Sequence, residues 1–180
     1  ASIKHDKERY EHKYEYCDLL IAGSGPSGLA SAYAAAQNGA KVILAEDKSR
    51  FGGSLLTSEV TIGNQSGQEW AEKIISELKS MPNVVVKNRS QVFGYYDHNM
   101  LVMSERVSDH LPKSEKYIPK QRLWYIRAKE VIISSGSIER PLVFGNNDTP
   151  GIMLSSAAKE YLKIYGVLVG KKPLVFTNND

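Results

Sequence analysis

The chain has 180 residues, enough for one domain of ordinary size, and 42% of them are hydrophobic, enough for a core. Its formal net charge of +3 is slight and spread along the sequence, so charge gives no argument for nucleic acid or a membrane surface. The single cysteine, Cys17, excludes an internal disulfide and any four-cysteine metal or iron–sulfur site.

Residues 1–16 are polar and charged, with Tyr10, Tyr14 and Tyr16 interleaved, and read as a lead-in. They lack the apolar core of a signal peptide. No later run approaches the roughly 20 apolar residues of a membrane span, so the cytoplasm is the expected compartment. Cys17 is expected in a buried strand with Asp18-Leu19-Leu20-Ile21-Ala22. Gly23-Ser24-Gly25-Pro26-Ser27-Gly28 follows. Gly23 permits a tight turn out of the strand, Gly25 lets a pyrophosphate approach the backbone, and Gly28 lets a helix pack closely on the sheet. Ser27 and its neighbours open an Ala-rich helix over 29–38. Its free N–H groups and positive dipole end favour a dianionic pyrophosphate.

Gly39 stands where a helix C′ residue should, before a second buried strand, Lys41-Val42-Ile43-Leu44-Ala45-Glu46. Glu46 follows Gly28 by close to the roughly 20 residues at which a ribose-binding acid is expected. Strand, glycines, helix, strand and acid in that order predict a dinucleotide site. A carboxylate at Glu46 accepts hydrogen bonds from ribose hydroxyls and repels a 2′-phosphate, with Asp47 adding a second charge. NADP is therefore expected to bind worse than NAD. Nothing in residues 23–46 separates NAD from FAD, whose adenosine halves are alike.

The pair Gly52-Gly53, before Ser54, lets backbone pass near a ligand. Trp70, Ile74, Leu78 and Met81 recur at helical spacing over 68–81, and Val84-Val85-Val86 predicts the third parallel strand. Strands at 92–96 and 101–103 flank a hairpin turn at Asp97-His98-Asn99. Residues 107–120, with Pro112 and Pro119, predict an exposed loop, and 123–126 another strand. His98 and His110 are expected at the surface, and no Cys or His partner stands at metal-ligand spacing. Residues 130–133 predict a buried strand ending in the small residues Ser134-Ser135-Gly136, which leave a cofactor room beside the glycine turn. Residues 156–165 predict a helix, and 172–177 the first strand of a new unit.

The fold expected is α/β: a Rossmann-like three-layer dinucleotide-binding domain with a parallel central sheet and a small inserted antiparallel sheet. The expected division is a lead-in at 1–16, the domain at 17–165 with its insertion at about 90–127, and the start of a truncated second nucleotide-binding-like unit at 166–180.

Gly23-Ser-Gly-Pro-Ser-Gly28, Glu46, Gly52-Gly53 and Ile133-Ser-Ser-Gly136 together resemble the two-dinucleotide-binding-domain flavoprotein superfamily, whose last element is usually Ala-Thr-Gly. The stretch 136–154 is narrower. It is similar to the alpha-subunit family of heterotetrameric sarcosine oxidase, and Phe176-Thr-Asn-Asn-Asp180 agrees. The resemblance implies an internal fragment of a longer subunit, with a ferredoxin-like region upstream and a folate-binding region downstream. It implies beta, gamma and delta partner subunits, with FAD and the amine site in beta and FMN at the alpha–beta boundary. It implies oxidation of sarcosine by oxygen to glycine, hydrogen peroxide and methylene-tetrahydrofolate. It implies NAD in this chain where relatives hold FAD, with Pro26, Glu46, Asp47, Gly53 and Val92 lining it and 134–136 nearby. The expected cofactor site is thus Gly23, Ser24, Gly25, Pro26, Ser27, Gly28, Ala45, Glu46, Asp47, Gly53, Ser54, Val92, Ser134, Ser135 and Gly136.

No catalytic residue is assigned, because no Ser/His/Asp or Cys/His arrangement follows from spacing. The chain alone is expected to be inactive. The alternative is the FAD-binding part of a pyridine nucleotide-disulfide-type FAD/NAD(P)H reductase. Against it, Cys17 is alone and 177–180 lack the glycines of a second nucleotide turn.

Overall fold

A computed structural model describes residues 8–112 and 117–178. The chain runs β1 (Tyr10–Ala22), α1 (Pro26–Gln37), β2 (Val42–Ala45), β3 (Thr61–Ile62), β4 (Gln65–Ser66), α2 (Gly67–Ser80), β5 (Val84–Lys87), β6 (Ser90–Tyr96), β7 (Met100–Arg106), β8 (Gln121–Ile133) and α3 (Ser155–Tyr165). Six strands form one sheet in the order β5-β2-β1-β8-β7-β6, and β3 and β4 form a separate small ladder. The pairs β5·β2, β2·β1 and β1·β8 are parallel, whereas β8·β7 and β7·β6 are antiparallel.

The period-two pattern of the central strands sorts their side chains between two cores. Ile21, Val42 and Leu44 face one way and pack with Leu29, Ala32 and Ala36 of α1 and Ala71, Ile74, Ile75 and Leu78 of α2. Leu20, Ile43 and Ala45 face the other way and pack with Leu101, Met103, Ile126 and Ala128 of the antiparallel end. Helices thus cover one face of the parallel sheet and the antiparallel strands cover the other, giving the three layers expected. Cys17 is fully buried in the second core, where burial pushes its thiol up to about 11.

α2 starts with a capping box: Ser66 caps the Glu69 N–H, and the Glu69 carboxylate accepts from Ser66 N at 2.8 Å. Trp70 and Met81 pack against the first core, as their spacing predicts. Gly39, at φ +81, closes α1.

Three elements differ from the sequence reading. β1 begins at Tyr10, so residues 10–16 are the first half of a long strand rather than a lead-in. They are held by the ladder to β8 and by stacking of Tyr14 on Tyr125, 5.1 Å between ring centres. The strands expected at 123–126 and 130–133 are one strand, β8, because Arg127, Ala128 and Lys129 keep the exposed–buried–exposed alternation between them. The parallel and antiparallel parts therefore share a single sheet. Residues 172–177 form no strand: no described strand lies beside them to complete a ladder, and Leu174 is 95% exposed. Residues 1–7, 113–116 and 179–180, which carry parts of the expected lead-in, loop and final motif, lie outside the described residues. No helix among the described residues is long and apolar enough to cross a membrane.

Candidate dinucleotide site

Three strand ends meet at the glycine turn. Gly23 N donates to Ala45 O at 2.8 Å, and Ser134 N donates to Ala22 O at 2.7 Å. Gly23 has φ +104, and a Cβ there would collide with the carbonyl of Ser134. A Cβ at Gly28 would collide with the carbonyl of Gly23. These two glycines are therefore demanded by the protein's own backbone. Gly25 is different: a Cβ there meets nothing within 4 Å. It is the N-cap of α1, with φ −66, and no side chain caps the helix. Pro26 at the first helical position has no N–H, so Ser27 and Gly28 supply the open first-turn donors. The turn thus leaves open space beside Gly25 at a positive helix end, which suits a pyrophosphate.

Behind the turn lies a buried polar cluster. Ser24 is fully buried, and both its N–H, at 3.0 Å, and its hydroxyl donate to Glu46 Oε2. Lys48 N donates to Glu46 Oε1 at 3.0 Å. Gly52 N donates to the Ser24 carbonyl at 3.1 Å and to its hydroxyl oxygen at 3.3 Å. Ser24 therefore ties the glycine turn to both the acid and the Gly52-Gly53 loop. That loop runs close: a Cβ on Gly53, at φ +54, would lie 2.8 Å from Gly25 Cα.

Glu46 is 7% exposed. Burial pushes its carboxyl above the usual 4.5, the neighbouring Asp47 carboxyl adds to the rise, and the Ser24 and Lys48 donors oppose it. A carboxylate has about four lone-pair positions. Three are used by protein donors, so Oε1 keeps capacity for one further donor, as a ribose hydroxyl would require.

The structure gathers most of the residues that the sequence nominated. Gly23, Ser24, Gly25, Pro26, Ser27, Gly28, Ala45, Glu46, Gly53, Ser134 and Ser135 surround the turn. Ala45 contributes its backbone, since its side chain lies in the second core. Asp47, two residues past β2, and Ser54, in the helical turn that Gly53 begins, are exposed. Val92 is half-buried, two residues into β6, whose first residue donates from Ser90 N to Glu46 O at 2.7 Å. At Gly136, with φ +76, an added Cβ would meet nothing within 4 Å. The sequence reading singled out Gly52 for close backbone approach but not for its bonds to Ser24, and it missed Ser90, which holds the Glu46 carbonyl, and the Lys48 N–H on the Glu46 carboxylate. Among the described residues no group of three or more His, Cys, Asp or Glu could hold a metal ion.

Glycine turn, uncapped helix start and buried strand-end acid on a three-layer sheet define a dinucleotide-binding α/β domain of Rossmann type. The FAD dependent oxidoreductase family model matches residues 18–108, and the chain belongs to that family. Over 180 residues, all of its length, it is 44% identical to sarcosine oxidase subunit alpha of Rhizobium meliloti (strain 1021). Over 97% of its length it is 38% identical to the protein of that name from Corynebacterium sp. (strain P-1). The chain spans 18% of the length of each of these relatives. The resemblance to sarcosine oxidase alpha subunits therefore holds along the whole chain. A crystal structure of L-proline dehydrogenase from P. horikoshii shares the fold, with TM-score 0.72, 22% identity and coverage of 89% of this chain and 31% of that one.

Proposed function

We propose that this chain is the dinucleotide-holding section of a sarcosine-oxidase-type alpha subunit. The observation that carries the reading is the open space at Gly25, flanked by glycines the backbone itself demands and backed by the Ser24–Glu46 cluster. In the proposed cytoplasmic assembly, beta, gamma and delta subunits complete the enzyme. The whole oxidises sarcosine with oxygen to glycine, hydrogen peroxide and methylene-tetrahydrofolate. The amine-oxidising FAD belongs to another subunit and FMN to a subunit boundary. This chain's residues bind and orient: Ser27 and Gly28 donate to the pyrophosphate, and Glu46 accepts from the adenosine ribose. Alone, the chain does not oxidise sarcosine, since the amine-oxidising flavin belongs to another subunit.

The nucleotide proposed is NAD, on the strength of the alpha-subunit resemblance. A second reading, FAD, is supported by the match to the FAD dependent oxidoreductase family over residues 18–108. A bound flavin would supply hydride or electron transfer, and NAD would supply its nicotinamide. Denaturing the purified protein and identifying the released nucleotide by mass spectrometry separates the two. Released NAD supports the first reading. A yellow protein that releases FAD replaces it and leaves the site where it is. A protein that carries no nucleotide and binds neither when titrated contradicts both.

A further inference from the structure

A cavity of about 350 Å³ on the antiparallel end borders the expected dinucleotide site, with which it shares Asp47. It is lined by Asp47, Arg89, Gln91, Ser104, Arg106 and Gln121. Gln91 and Ser104 are partners across β6 and β7, and Arg106 and Gln121 across β7 and β8. They alternate with Val92 and Met103, which belong to the second core, so the cavity opens on the sheet's other face.

Its two cations differ from their neighbours. On the core-side face of the same sheet, Lys87 and Arg122 both reach Glu105, at 3.1 and 3.2 Å. Arg106 instead donates to the backbone oxygen of Asp47 at 3.1 Å. Among the described residues, neither Arg89 nor Arg106 forms an ion pair with a carboxylate. Arg89 also stands at φ +51, a region that bulky residues enter only where the surroundings fix them. Two bonds do the fixing: Arg89 N donates to Lys48 O, and Arg106 N donates to Arg89 O, each at 2.9 Å. The strained turn thus delivers two arginines, neither held in an ion pair, to one cavity whose lining also includes the acidic residue Asp47. Gln91 and Ser104 add neutral donors. The Gln121 amide donates to Asp109 Oδ2 at 3.1 Å and so is already engaged.

We propose that this cavity is an oxyanion site that takes a phosphate group, as inorganic phosphate or as the phosphomonoester end of a small molecule. A guanidinium fork matches two phosphate oxygens at once. A carboxylate has only two oxygens and is served by a single fork, whereas a tetrahedral oxyanion can engage both arginines. The volume is at the lower end of the roughly 300–1,000 Å³ of ligand cavities, so a small phosphorylated molecule fits.

Titration calorimetry of the purified protein tests this, with inorganic phosphate and with ribose 5-phosphate at low salt. Saturable binding of at least one is expected, roughly tenfold weaker in Arg89→Gln and in Arg106→Gln. Tighter binding of phosphate assigns the free ion, and tighter binding of ribose 5-phosphate assigns the ester. Ser104→Asp keeps both arginines and should weaken binding more than roughly tenfold by adding a second carboxylate to the lining that Asp47 already shares. Circular dichroism checks that each variant is folded. NAD and FAD binding should be unchanged in Arg89→Gln and Arg106→Gln, which separates this cavity from the glycine turn. Absence of saturable binding by the wild type, or equal binding by every folded variant, overturns the proposal. Concurrent loss of dinucleotide binding overturns its independence from the glycine turn.

Discussion

In the parallel half, Ile21, Leu29, Leu44 and Leu78 are fully buried in one cluster, whereas none of the described residues from 134 to 178 is buried. The helix in that second region, α3, is held by polar contacts. Lys48 reaches Glu160 and Lys163 reaches Glu59, each at 2.8 Å, so α3 is tethered at two points to the segment between β2 and β3. Its first turn is clamped by Glu139, which accepts from Ser156 N at 2.8 Å, Ser155 N at 3.2 Å and the Ser155 hydroxyl at 2.8 Å. One region is built by removing apolar surface from water, the other by charge and hydrogen bonding at the surface. Apolar burial is worth roughly 25 cal/mol per Å², whereas exposed ion pairs contribute little. The site rests on the first kind of structure and is bordered by the second.

That contrast can be broken by substitution. The largest effect is expected from Gly28→Val, because any side chain there meets the Gly23 carbonyl. It should cost at least about 3 kcal/mol, read as a drop in the denaturation midpoint or as failure to fold. Leu78→Ala, in the first core, should cost about 2–5 kcal/mol by the same measurement.

Two carboxylates sharpen the comparison through pH. Glu46 is raised above 4.5 chiefly by burial, so it favours the folded state when protonated. Its contribution is present below 4.5 and is lost as pH rises through its raised value. Glu139 is lowered to about 2, first by the Ser156 N–H and then by the Ser156 and Ser155 side chains. Its contribution is present above 4.5 and is lost as pH falls through about 2. Carboxyl carbon-13 NMR should find the two titrating on opposite sides of 4.5. Titration of both near 4.5 would remove the distinction between the regions. The smallest effect is expected in α3, where Leu162 is 49% exposed. Leu162→Ala should change stability by less than about 0.5 kcal/mol.

The parallel half could be read from the sequence because its signals are local and periodic. Val42-Ile43-Leu44-Ala45 has the composition of a buried strand, Trp70, Ile74 and Leu78 mark one helix face, and the glycines of the turn sit between a strand and a helix. What escaped was decided by tertiary placement. Nothing in the pattern says that Ser24 turns inward to Glu46 rather than outward to a ligand. Arg127 and Lys129 look like a break between two strands, yet they are the solvent-facing positions of one. Residues 172–177 have strand composition, but composition cannot supply the neighbouring strand that a ladder needs. Arg89 carries no local hint of its left-handed backbone, which neighbouring segments impose.

Gly25→Val tests the central claim most directly. Its φ of −66 suits any residue and its Cβ meets nothing within 4 Å, so the variant should fold as the wild type does. The new side chain would instead occupy the open space assigned to the pyrophosphate. Titration calorimetry with NAD and with FAD on both nucleotide-free proteins reads the outcome. The expected result is saturable binding of at least one dinucleotide by the wild type and loss of that binding in the folded variant. Equal binding by the two proteins would contradict a dinucleotide site at this turn.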